Sequence, residues 1–261
     1  MTGTAESEHA GRHAQRGVAV VTGGSRGIGA ATAIGMARHG WDVCLSYVSD
    51  GKAAAETVAA CEATGVRAVA VRADVSVAAE VTALFAAADR LGAVTVLVNN
   101  AGIVGPKARV DEMSPERLER MMAVNVTGSI LCAGAAVRRM STRHGGRGGT
   151  IVNISSAAAR LGGSGEYVDY AASKGAIDTL TVGLAKEVAT EGVRVNAVRP
   201  GLIDTEIHAS GGQPDRVARI GPGVPIGRAG TAAEIAAAIV WLCLPASSYV
   251  TGALLDVSGG R

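Results

Sequence analysis

The stretch that decides the fold is Val18-Ala-Val-Val-Thr22-Gly-Gly-Ser-Arg-Gly-Ile-Gly29, an apolar run followed at once by a glycine-rich loop. The valines predict a buried β-strand, and residues 27–39 carry the pattern of a helix that Gly40 ends. Glycines permit a tight turn and close approach of the backbone to a ligand, while the helix N-terminus offers free N–H groups to an anion. We interpret residues 22–29 as a phosphate-binding loop; a tight turn without a ligand is the alternative.

Apolar, β-branched runs alternate with alanine-rich amphipathic stretches along the rest of the chain. Apolar strands separated by such helices are typical of a parallel sheet covered on both faces. We therefore predict a single α/β domain over residues 17–261, a Rossmann fold with a doubly wound, seven-stranded parallel sheet and the ligand at the carboxyl ends of the strands. The predicted strands are 18–22, 42–47, 66–71, 94–98, 150–154, 193–198 and 253–257, and the predicted helices are 27–39, 53–63, 77–91, 115–140, 167–190 and 231–242.

The composition excludes several classes of protein. A formal net charge of +2 over 261 residues is too close to zero to indicate a nucleic-acid binder. No uninterrupted apolar run reaches the ~20 residues that span a bilayer, and residues 1–16 lack the apolar segment of a signal peptide. We expect those residues to form a disordered leader on a cytoplasmic protein that does not bind membranes. The four cysteines show no CxxC spacing, so we expect reduced, buried thiols and no metal site.

Tyr170 and Lys174, spaced four residues apart, are the main candidates for chemistry. On a helix they lie one turn apart on the same face. A neighbouring ammonium favours the phenolate and lowers the pKa of a tyrosine from its ordinary value of about 10, which makes it an acid or base near neutral pH. Tyr167 is about 10 Å from Lys174 along the helix axis at ~1.5 Å per residue, so we assign it to the pocket wall or the core.

The end of the second strand predicts the choice of nucleotide. A site specific for NAD usually has an acidic residue there to hold the ribose 2′-hydroxyl, but this strand ends in Leu45-Ser46-Tyr47-Val48. Arg26 lies within the glycine-rich loop, where a guanidinium is suited to a 2′-phosphate. The sequence therefore favours NADP(H), with NAD(H) as the alternative cofactor; the alternative for Arg26 is an exposed side chain without this role.

Several ordered motifs make residues 17–261 resemble the short-chain dehydrogenase/reductase family. Two stretches, GEYVDYAASKGAIDTLT and HASGG, further resemble an uncharacterised bacterial subgroup of NADP-dependent oxidoreductases. The resemblance implies an enzyme that transfers a hydride between a nicotinamide and a carbonyl or secondary alcohol. The motifs are the loop at 22–29, Asp74-Val75, Asn99-Asn-Ala-Gly102, Asn125, Ser155-Ser156, Tyr170 with Lys174, and Pro200-Gly201.

The resemblance also implies four catalytic residues. Tyr170 exchanges a proton with the substrate oxygen, and Lys174 lowers the pKa of that tyrosine and hydrogen-bonds the nicotinamide ribose. Ser156 donates to the substrate oxygen, with Ser155 as the fallback, and Asn125 holds a water that links Lys174 to solvent. The residues implied to bind the cofactor are Gly23, Ser25, Arg26, Gly27, Ile28, Gly29, Ser46, Tyr47, Asp74, Val75, Asn100, Ala101, Gly102, Tyr170, Lys174, Pro200, Gly201, Ile203 and Thr205.

Residues 202–228 are polar and rich in glycine and proline, and they resemble the substrate lid of the family. The arginines and the histidine in this segment either contact a polar or anionic substrate or belong to a solvated lid. The few aromatic residues favour a small polar carbonyl, a sugar or a polyol as the substrate. The residues concerned are His208, Arg216, Arg219 and Arg228.

Two other functions stay open on the sequence. Basic residues follow the helix at 115–140; they either complement its dipole or dock an acidic carrier protein, which would make the protein a 3-oxoacyl-[acyl-carrier-protein] reductase. A catalytically silent nucleotide sensor is the alternative of another class. The family further implies a homotetramer, to which 251–260 would contribute. The basic residues are Arg138, Arg139, Arg143, His144 and Arg147.

Overall fold

The computed structural model describes residues 16–261, without the side chains of residues 208 and 210. The predicted leader, 1–16, therefore lies outside the described residues except for Arg16. The backbone N–H of Arg16 donates to Gly40 at 3.3 Å, and its guanidinium lies over the Trp41 ring at 5.1 Å. Arg16 thus packs against the residues that follow the first helix.

A single seven-stranded parallel sheet forms the centre of the domain, as the sequence predicts. The strand order is β3-β2-β1-β4-β5-β6-β9, so the order reverses between β1 and β4. A two-stranded parallel sheet pairs β7, at the start of the segment predicted as the lid, with β8, just after its end. The strands are β1 Val18–Val21, β2 Asp42–Tyr47, β3 Ala68–Arg72, β4 Val94–Asn99, β5 Gly149–Ile154, β6 Val193–Pro200, β7 Ile203–Asp204, β8 Gly230–Thr231 and β9 Leu254–Val257.

The helices connect these strands and cover both faces of the central sheet. The predicted helix at 115–140 is present, but a π-helical segment, Ala123–Thr127, divides it into two α-helices. Three short helices, α6, α8 and α9, were not predicted, because four or five residues carry no readable periodicity. The helices are α1 Gly27–Arg38, α2 Gly51–Glu62, α3 Ala78–Leu91, α4 Pro115–Met122, α5 Gly128–Met140, α6 Ala158–Leu161, α7 Val168–Val188, α8 Ile207–Ser210, α9 Arg216–Ile220 and α10 Ala232–Cys243.

Each face of the sheet has its own apolar core. Alternate residues of β1 point to opposite faces: Val18 and Val20 pack into the core around α3 and α5, whereas Ala19 and Val21 pack into the core around α1 and α10. All four residues are fully buried. Burial on both sides explains why the strands read as uninterrupted apolar runs and not as alternating ones.

The helical segment Pro115–Met140 is long and apolar enough to cross a membrane by length and composition. Half of its most apolar window, 50%, is buried inside the domain, and α5 packs there against α3 and β4. A core helix of this kind passes the same test, so the segment is weak evidence for a membrane span.

All four cysteines are buried and free. Burial raises the pKa of Cys44, Cys132 and Cys243 to about 12 and that of Cys61 to about 11. At neutral pH these thiols therefore carry their protons, which agrees with the expectation of reduced, buried residues.

The start of α2 depends on a side-chain cap. Asp50 precedes the helix and accepts a hydrogen bond from the backbone N–H of Ala53 at 2.9 Å. We expect Asp50→Ala to lower the free energy of unfolding by ~1 kcal/mol, because a first-turn N–H loses its partner. Urea denaturation measures the change. Glu62→Ala, at an exposed position of the same helix, should change stability by less than ~0.5 kcal/mol, and equal losses in the two variants would contradict the assignment.

Candidate active site

The glycine-rich loop after β1 is packed so closely that side chains do not fit. A Cβ at Gly29 would lie 2.2 Å from the carbonyl oxygen of Gly23 and 2.5 Å from the Asn100 side-chain nitrogen. Asn100 Nδ2 in turn donates to the carbonyls of Thr22 and Gly23, both at 2.9 Å. The turn after β4 thus fixes the shape of the loop after β1.

The N-terminus of α1 opens onto this loop without a cap. Arg26 is the N-cap residue and makes no capping hydrogen bond, and the first turn contains no acidic residue. The first N–H groups of α1, on Gly27, Ile28 and Gly29, therefore have no side-chain acceptor from the cap. Gly27 has a φ of +54°, in the left-handed region that glycine adopts without strain. A loop with these properties fits the pyrophosphate of a dinucleotide.

Thr205 lies against the loop from the other side. A Cβ at Gly27 would be 3.4 Å from its Cγ2 atom. Thr205 and Ile203 belong to the segment that follows Pro200-Gly201, so this segment and the phosphate loop border the same space. A Cβ at Gly201 would lie 2.7 Å from Ser258 Cα, which explains the glycine there.

Ser46 supports the loop from the end of β2. Its hydroxyl accepts from the Gly23 N–H at 3.1 Å, and its carbonyl accepts from the Gly24 N–H at 2.8 Å. Ser46 is buried, so it contributes to the shape of the loop. Tyr47, the next residue, is half-buried at the carboxyl end of β2.

The edge beside Tyr47 carries two exposed arginines. Arg26 is exposed in the glycine-rich loop and forms no ion pair among residues 16–261. Arg72 is paired in register with Tyr47 across β2 and β3, and its Nε donates to the Val48 carbonyl at 3.1 Å. Sequence reasoning missed Arg72, although its place at the end of a predicted strand was the available signal.

Asp74 and Val75 lie just after β3. Asp74 Oδ2 pairs with Arg120 at 2.7 Å and its Oδ1 accepts from the Ser76 hydroxyl at 2.7 Å. Burial raises the pKa of Asp74, but these hydrogen bonds and the Arg120 charge hold it below its ordinary value. Val75 is buried against Gly128, where a Cβ would lie 2.6 Å from a Val75 methyl group.

Tyr170, Lys174 and Ser156 meet at the carboxyl ends of the strands. Lys174 Nζ lies 5.6 Å from the centre of the Tyr170 ring and donates to the Ile154 carbonyl at 2.7 Å. The Ser156 hydroxyl lies near the Tyr170 phenol and lowers its pKa. These three side chains line one cavity of about 380 Å³.

The two serines after β5 have different surroundings. Ser155 is buried, and its hydroxyl donates to the Lys174 carbonyl at 3.1 Å. Ser156 is half-buried, and its hydroxyl also accepts from the Ala158 N–H at 3.1 Å. Of the two hydroxyls, only that of Ser156 affects the pKa of the Tyr170 phenol.

Asn125 is held behind Lys174 by the π-helical segment. Its Oδ1 accepts from the Ile103 N–H at 2.8 Å, while its Nδ2 donates to the Ile103 carbonyl and to Ser173 Oγ, both at 3.0 Å. A Cβ at Gly102 would lie 3.4 Å from Asn125 Oδ1 and 3.5 Å from Lys174 Nζ. The turn at 99–102 therefore reaches the same cluster.

The acid–base properties of the pair differ from the expectation. Burial raises the pKa of Tyr170 to about 12, although the hydrogen bond from Ser156 lowers it. Burial lowers the pKa of Lys174 to about 8, and the charge of Asp178 opposes that change. The predicted lowering of the Tyr170 pKa is wrong for this structure, because desolvation of the phenolate outweighs the influence of Ser156.

Tyr167 forms part of the wall of the cavity. Its ring meets the Tyr170 ring edge to face, with the centres 5.8 Å apart. Arg216 is buried; its Nη2 donates to the Tyr167 hydroxyl at 2.5 Å and pairs with Glu166 at 2.9 Å. Arg219 and Arg228 are exposed. The arginines of the predicted lid thus divide into one buried wall residue and two on the surface.

The cavity gathers about half of the predicted site residues. Those that line it are Ile28, Asn100, Gly102, Ser156, Tyr170, Lys174, Pro200, Gly201, Ile203 and Thr205. The others lie at the same sheet edge or behind it and do not line this cavity: Gly23, Ser25, Arg26, Gly27, Gly29, Ser46, Tyr47, Asp74, Val75, Ala101 and Asn125. No group of three or more metal-ligating side chains occurs in the described part of the chain.

Similarity to known proteins extends along almost the whole chain. A family model described as enoyl-(acyl carrier protein) reductase matches residues 23–261. The uncharacterized oxidoreductase YgfF of Escherichia coli (strain K12) is 51% identical over 245 residues, which cover 94% of this chain and 99% of that protein. The chain belongs to the short-chain dehydrogenase/reductase family.

Other members of this family agree in fold and class of reaction. Glucose 1-dehydrogenase 2 of Bacillus subtilis (strain 168) is 39% identical over 93% of each chain. The crystal structure of a short chain dehydrogenase from Burkholderia cenocepacia J2315 in complex with NADP superposes with a TM-score of 0.87, at 33% identity, over 95% of this chain and 98% of that one. The protein is an NAD(P)-dependent oxidoreductase that acts on CH–OH groups.

The loop of this dehydrogenase/reductase should not tolerate a side chain at Gly29. In Gly29→Ala the new Cβ meets the Gly23 carbonyl, so the backbone must move and we expect the affinity for NADPH to fall by at least ~10-fold. Titration calorimetry with NADPH measures this. Gly183→Ala is the matched control, because a Cβ there meets nothing within 4 Å. Unchanged NADPH binding by the Gly29 variant would contradict this account of the loop.

Proposed function

We propose that the protein is an NADP(H)-dependent carbonyl reductase or alcohol dehydrogenase in which Tyr170 is the acid/base. The observation that carries this proposal is the cluster of Tyr170, Ser156 and Lys174 in one cavity beside an uncapped glycine-rich loop. The bound dinucleotide would supply or accept the hydride, and the protein would provide orientation and proton transfer.

Tyr170 is suited to donate a proton to a carbonyl oxygen. With its pKa raised to about 12, the phenol is protonated at neutral pH, so it acts as an acid in the direction of reduction. Ser156 lies beside the phenol. Its hydroxyl would donate a second hydrogen bond to the carbonyl oxygen of the substrate, where negative charge develops. Lys174 would hold the nicotinamide ribose and stabilise the phenolate left behind.

Asn125 is proposed to support this cluster and to hold a water that links Lys174 with solvent. The Asn125 side-chain amide makes two hydrogen bonds with the backbone of Ile103 and one with the hydroxyl of Ser173. Ser173 adjoins Lys174 in the chain. A side chain fixed at this point would keep a water in one place.

NADP(H) is the proposed cofactor, with NAD(H) as the weaker alternative. The end of β2 carries no carboxylate, and the arginines beside it, Arg26 and Arg72, are exposed. The NADP complex of the Burkholderia cenocepacia relative supports the proposal. The proposed contacts of the cofactor are the residues named from the family resemblance, with Arg72 added.

A small polar carbonyl, a sugar or a polyol is the proposed substrate. The far end of the cavity combines apolar Leu161 and Ile207 with polar Gln213 and Glu166. Because Arg216 is already neutralised by Glu166, its charge is not free to bind an anion. The B. subtilis relative named for glucose supports this choice.

Residues 202–228 are proposed as the lid of a single domain that spans 17–261. The segment contains α8, α9 and the strand β7. Eight of its residues line the cavity: Leu202, Ile203, Thr205, Ile207, Gly211, Gln213, Arg216 and Ile220. A lid above the reacting groups would exclude water during the reaction.

The basic residues near 138–147 do not favour a carrier-protein reductase. Arg139 pairs with Asp89 at 2.7 Å and Arg143 with Glu191 at 3.9 Å. The segment precedes β5, so it lies at the amino edge of the sheet, opposite to the cavity. An acyl carrier bound there would be on the wrong side to deliver its substrate.

A homotetramer is proposed as the assembled state. Leu118, Met122 and Ile130 expose 39%, 42% and 48% of their surface along α4 and α5, and Tyr249 is fully exposed. Apolar side chains in such positions are typical of surfaces that pair with another subunit.

The preference for NADP(H) should depend on the two arginines. We expect Arg26→Ala and Arg72→Ala each to weaken NADPH binding by ~10-fold, because a charge-assisted contact with the 2′-phosphate is lost, while NADH binding changes by less than ~2-fold. Calorimetric titration with both nucleotides measures the difference. Arg38→Ala, in the last turn of α1, is the control. Equal losses for NADPH and NADH would refute the assignment.

Turnover should depend on the Tyr170 phenol. Tyr170→Phe should lower kcat for NADPH-dependent reduction by at least ~100-fold with little change in NADPH affinity, because only the proton donor is removed. Ser156→Ala should lower kcat by ~10-fold or more, and Ser155→Ala by less, although it removes a buried hydrogen bond and so costs stability. A panel of small ketones, sugars and polyols provides the assay. Residual turnover in Tyr170→Phe close to wild type would refute the proposed mechanism.

A further inference from the structure

Two opposite charges are buried one helical turn apart on α7. Lys174 and Asp178 retain only 5% and 8% of their exposure, and their spacing of four residues places them on the same face of the helix. Burying a charge is costly unless an opposite charge compensates it. The burial of Lys174 and Asp178 therefore requires a compensating charge near each of them.

The hydrogen bonds of the two groups leave that compensation incomplete. Lys174 Nζ donates one hydrogen bond among the described contacts, to the uncharged Ile154 carbonyl. Asp178 Oδ2 accepts from Arg199 Nε at 3.1 Å and from its Nη2 at 2.8 Å, whereas Oδ1 is buried and has no partner in residues 16–261. Half of the carboxylate is thus bound by an arginine, and half of it is not.

Arg199 connects Asp178 with the surface. It lies on β6 and also approaches Asp256 on β9 at 3.8 Å, and Asp256 contacts Arg160 at 3.5 Å. The signs of charge alternate along this row, and exposure increases outward from the Asp178 side chain at 10% and Arg199 at 14% to Asp256 at 37%. Of these residues, only Asp178 and Arg199 are shielded from solvent to an extent similar to Lys174.

We propose that Asp178 is a positioning residue whose carboxylate keeps the Lys174 ammonium charged within the active site. Arg199 binds the same carboxylate and limits this effect. The inference deepens the proposed function, because it concerns the lysine assigned there to the ribose and to Tyr170. The opposition of Asp178 to the desolvation of Lys174 agrees with it.

The other groups around Lys174 do not replace Asp178. On α7 the remaining titratable neighbour is Tyr170, whose ring faces the ammonium. The π-helical segment and the turn after β4 contribute Asn125 and Gly102, which do not titrate, and β5 contributes the Ile154 carbonyl. From β6 the charged group is Arg199, which acts through Asp178.

The test uses two substitutions that change charge in opposite directions. Asp178→Asn removes a negative charge near Lys174, so the midpoint of its titration should fall by ~0.5–1 pH unit. Arg199→Gln removes a positive charge and leaves an amide that can still reach Asp178, so the midpoint should rise. The double variant should lie near wild type. A merely structural role would move both single variants in the same direction or leave both unmoved.

The chain makes a direct readout practical because it has only four lysines, Lys52, Lys107, Lys174 and Lys186. Labelling lysine with ¹³C at Cε gives four signals, and Lys174→Met assigns the one of interest. Titration by NMR then requires neither substrate nor turnover. Asp256→Asn is the matched control: it removes the same charge at the exposed end of the row, and the Lys174 midpoint should shift by less than ~0.2 unit.

The pH profile of kcat/KM provides the second readout. Removing a negative charge lowers the apparent pKa of a phenol as well as that of an ammonium, so the profile should move in the same direction as the NMR midpoint. Shifts in the NMR titration without activity in any variant or wild type would support this inference and contradict the proposed function. Equal, absent or same-sign NMR shifts in the two single variants would overturn the inference.

If Asp178→Asn does not fold, Arg199→Gln and the double variant still decide the matter. Arg199→Gln should raise the midpoint, and restoring neutrality in the double variant should return it toward wild type. Arg199→Lys keeps the charge and should leave the midpoint within ~0.3 unit of wild type. A shift in Arg199→Lys as large as in Arg199→Gln would show that geometry and not charge controls Lys174, which would also overturn the inference.

Discussion

The site depends on the hydrogen bonds that join the turn after β4 to the loop after β1. One amide, Asn100, holds two successive carbonyls of the loop, and the loop in turn packs so tightly that Gly29 has no room for a side chain. These two strands are the ones between which the strand order reverses. The crevice at that point is therefore lined by backbone that a side-chain amide holds in place.

The site is also organised by how it removes water from charged groups. Tyr170 and Lys174 both lose hydration, which disfavours the charged form of each and separates their pKa values to about 12 and about 8. The phenol therefore keeps its proton at neutral pH, whereas the pKa of the ammonium lies close to neutral pH. Neighbouring hydroxyls, amides and carboxylates then decide which protonation states are populated.

The sequence allowed the fold and the class of enzyme to be predicted, because both rest on local signals. Strands buried on both faces are continuous apolar runs, and Tyr170 and Lys174 are one helical turn apart in any helix. What it did not predict depends on partners far along the chain. Arg216 is buried because its guanidinium hydrogen-bonds Tyr167 and pairs with Glu166. Asp74 forms an ion pair with Arg120. The π-helical turn around Asn125 and the raised pKa of Tyr170 follow from packing, which no spacing of residues reveals.

The burial of every native thiol has a practical consequence. Cys44, Cys61, Cys132 and Cys243 are all inaccessible and hold their protons far above neutral pH. Maleimide and iodoacetamide reagents attack the exposed thiolate, so the folded wild-type chain offers them no competitor. A single cysteine placed on α9 or on the surface of α5 could therefore carry a fluorophore or spin label without prior removal of the native cysteines, and distances within the intact enzyme would become measurable.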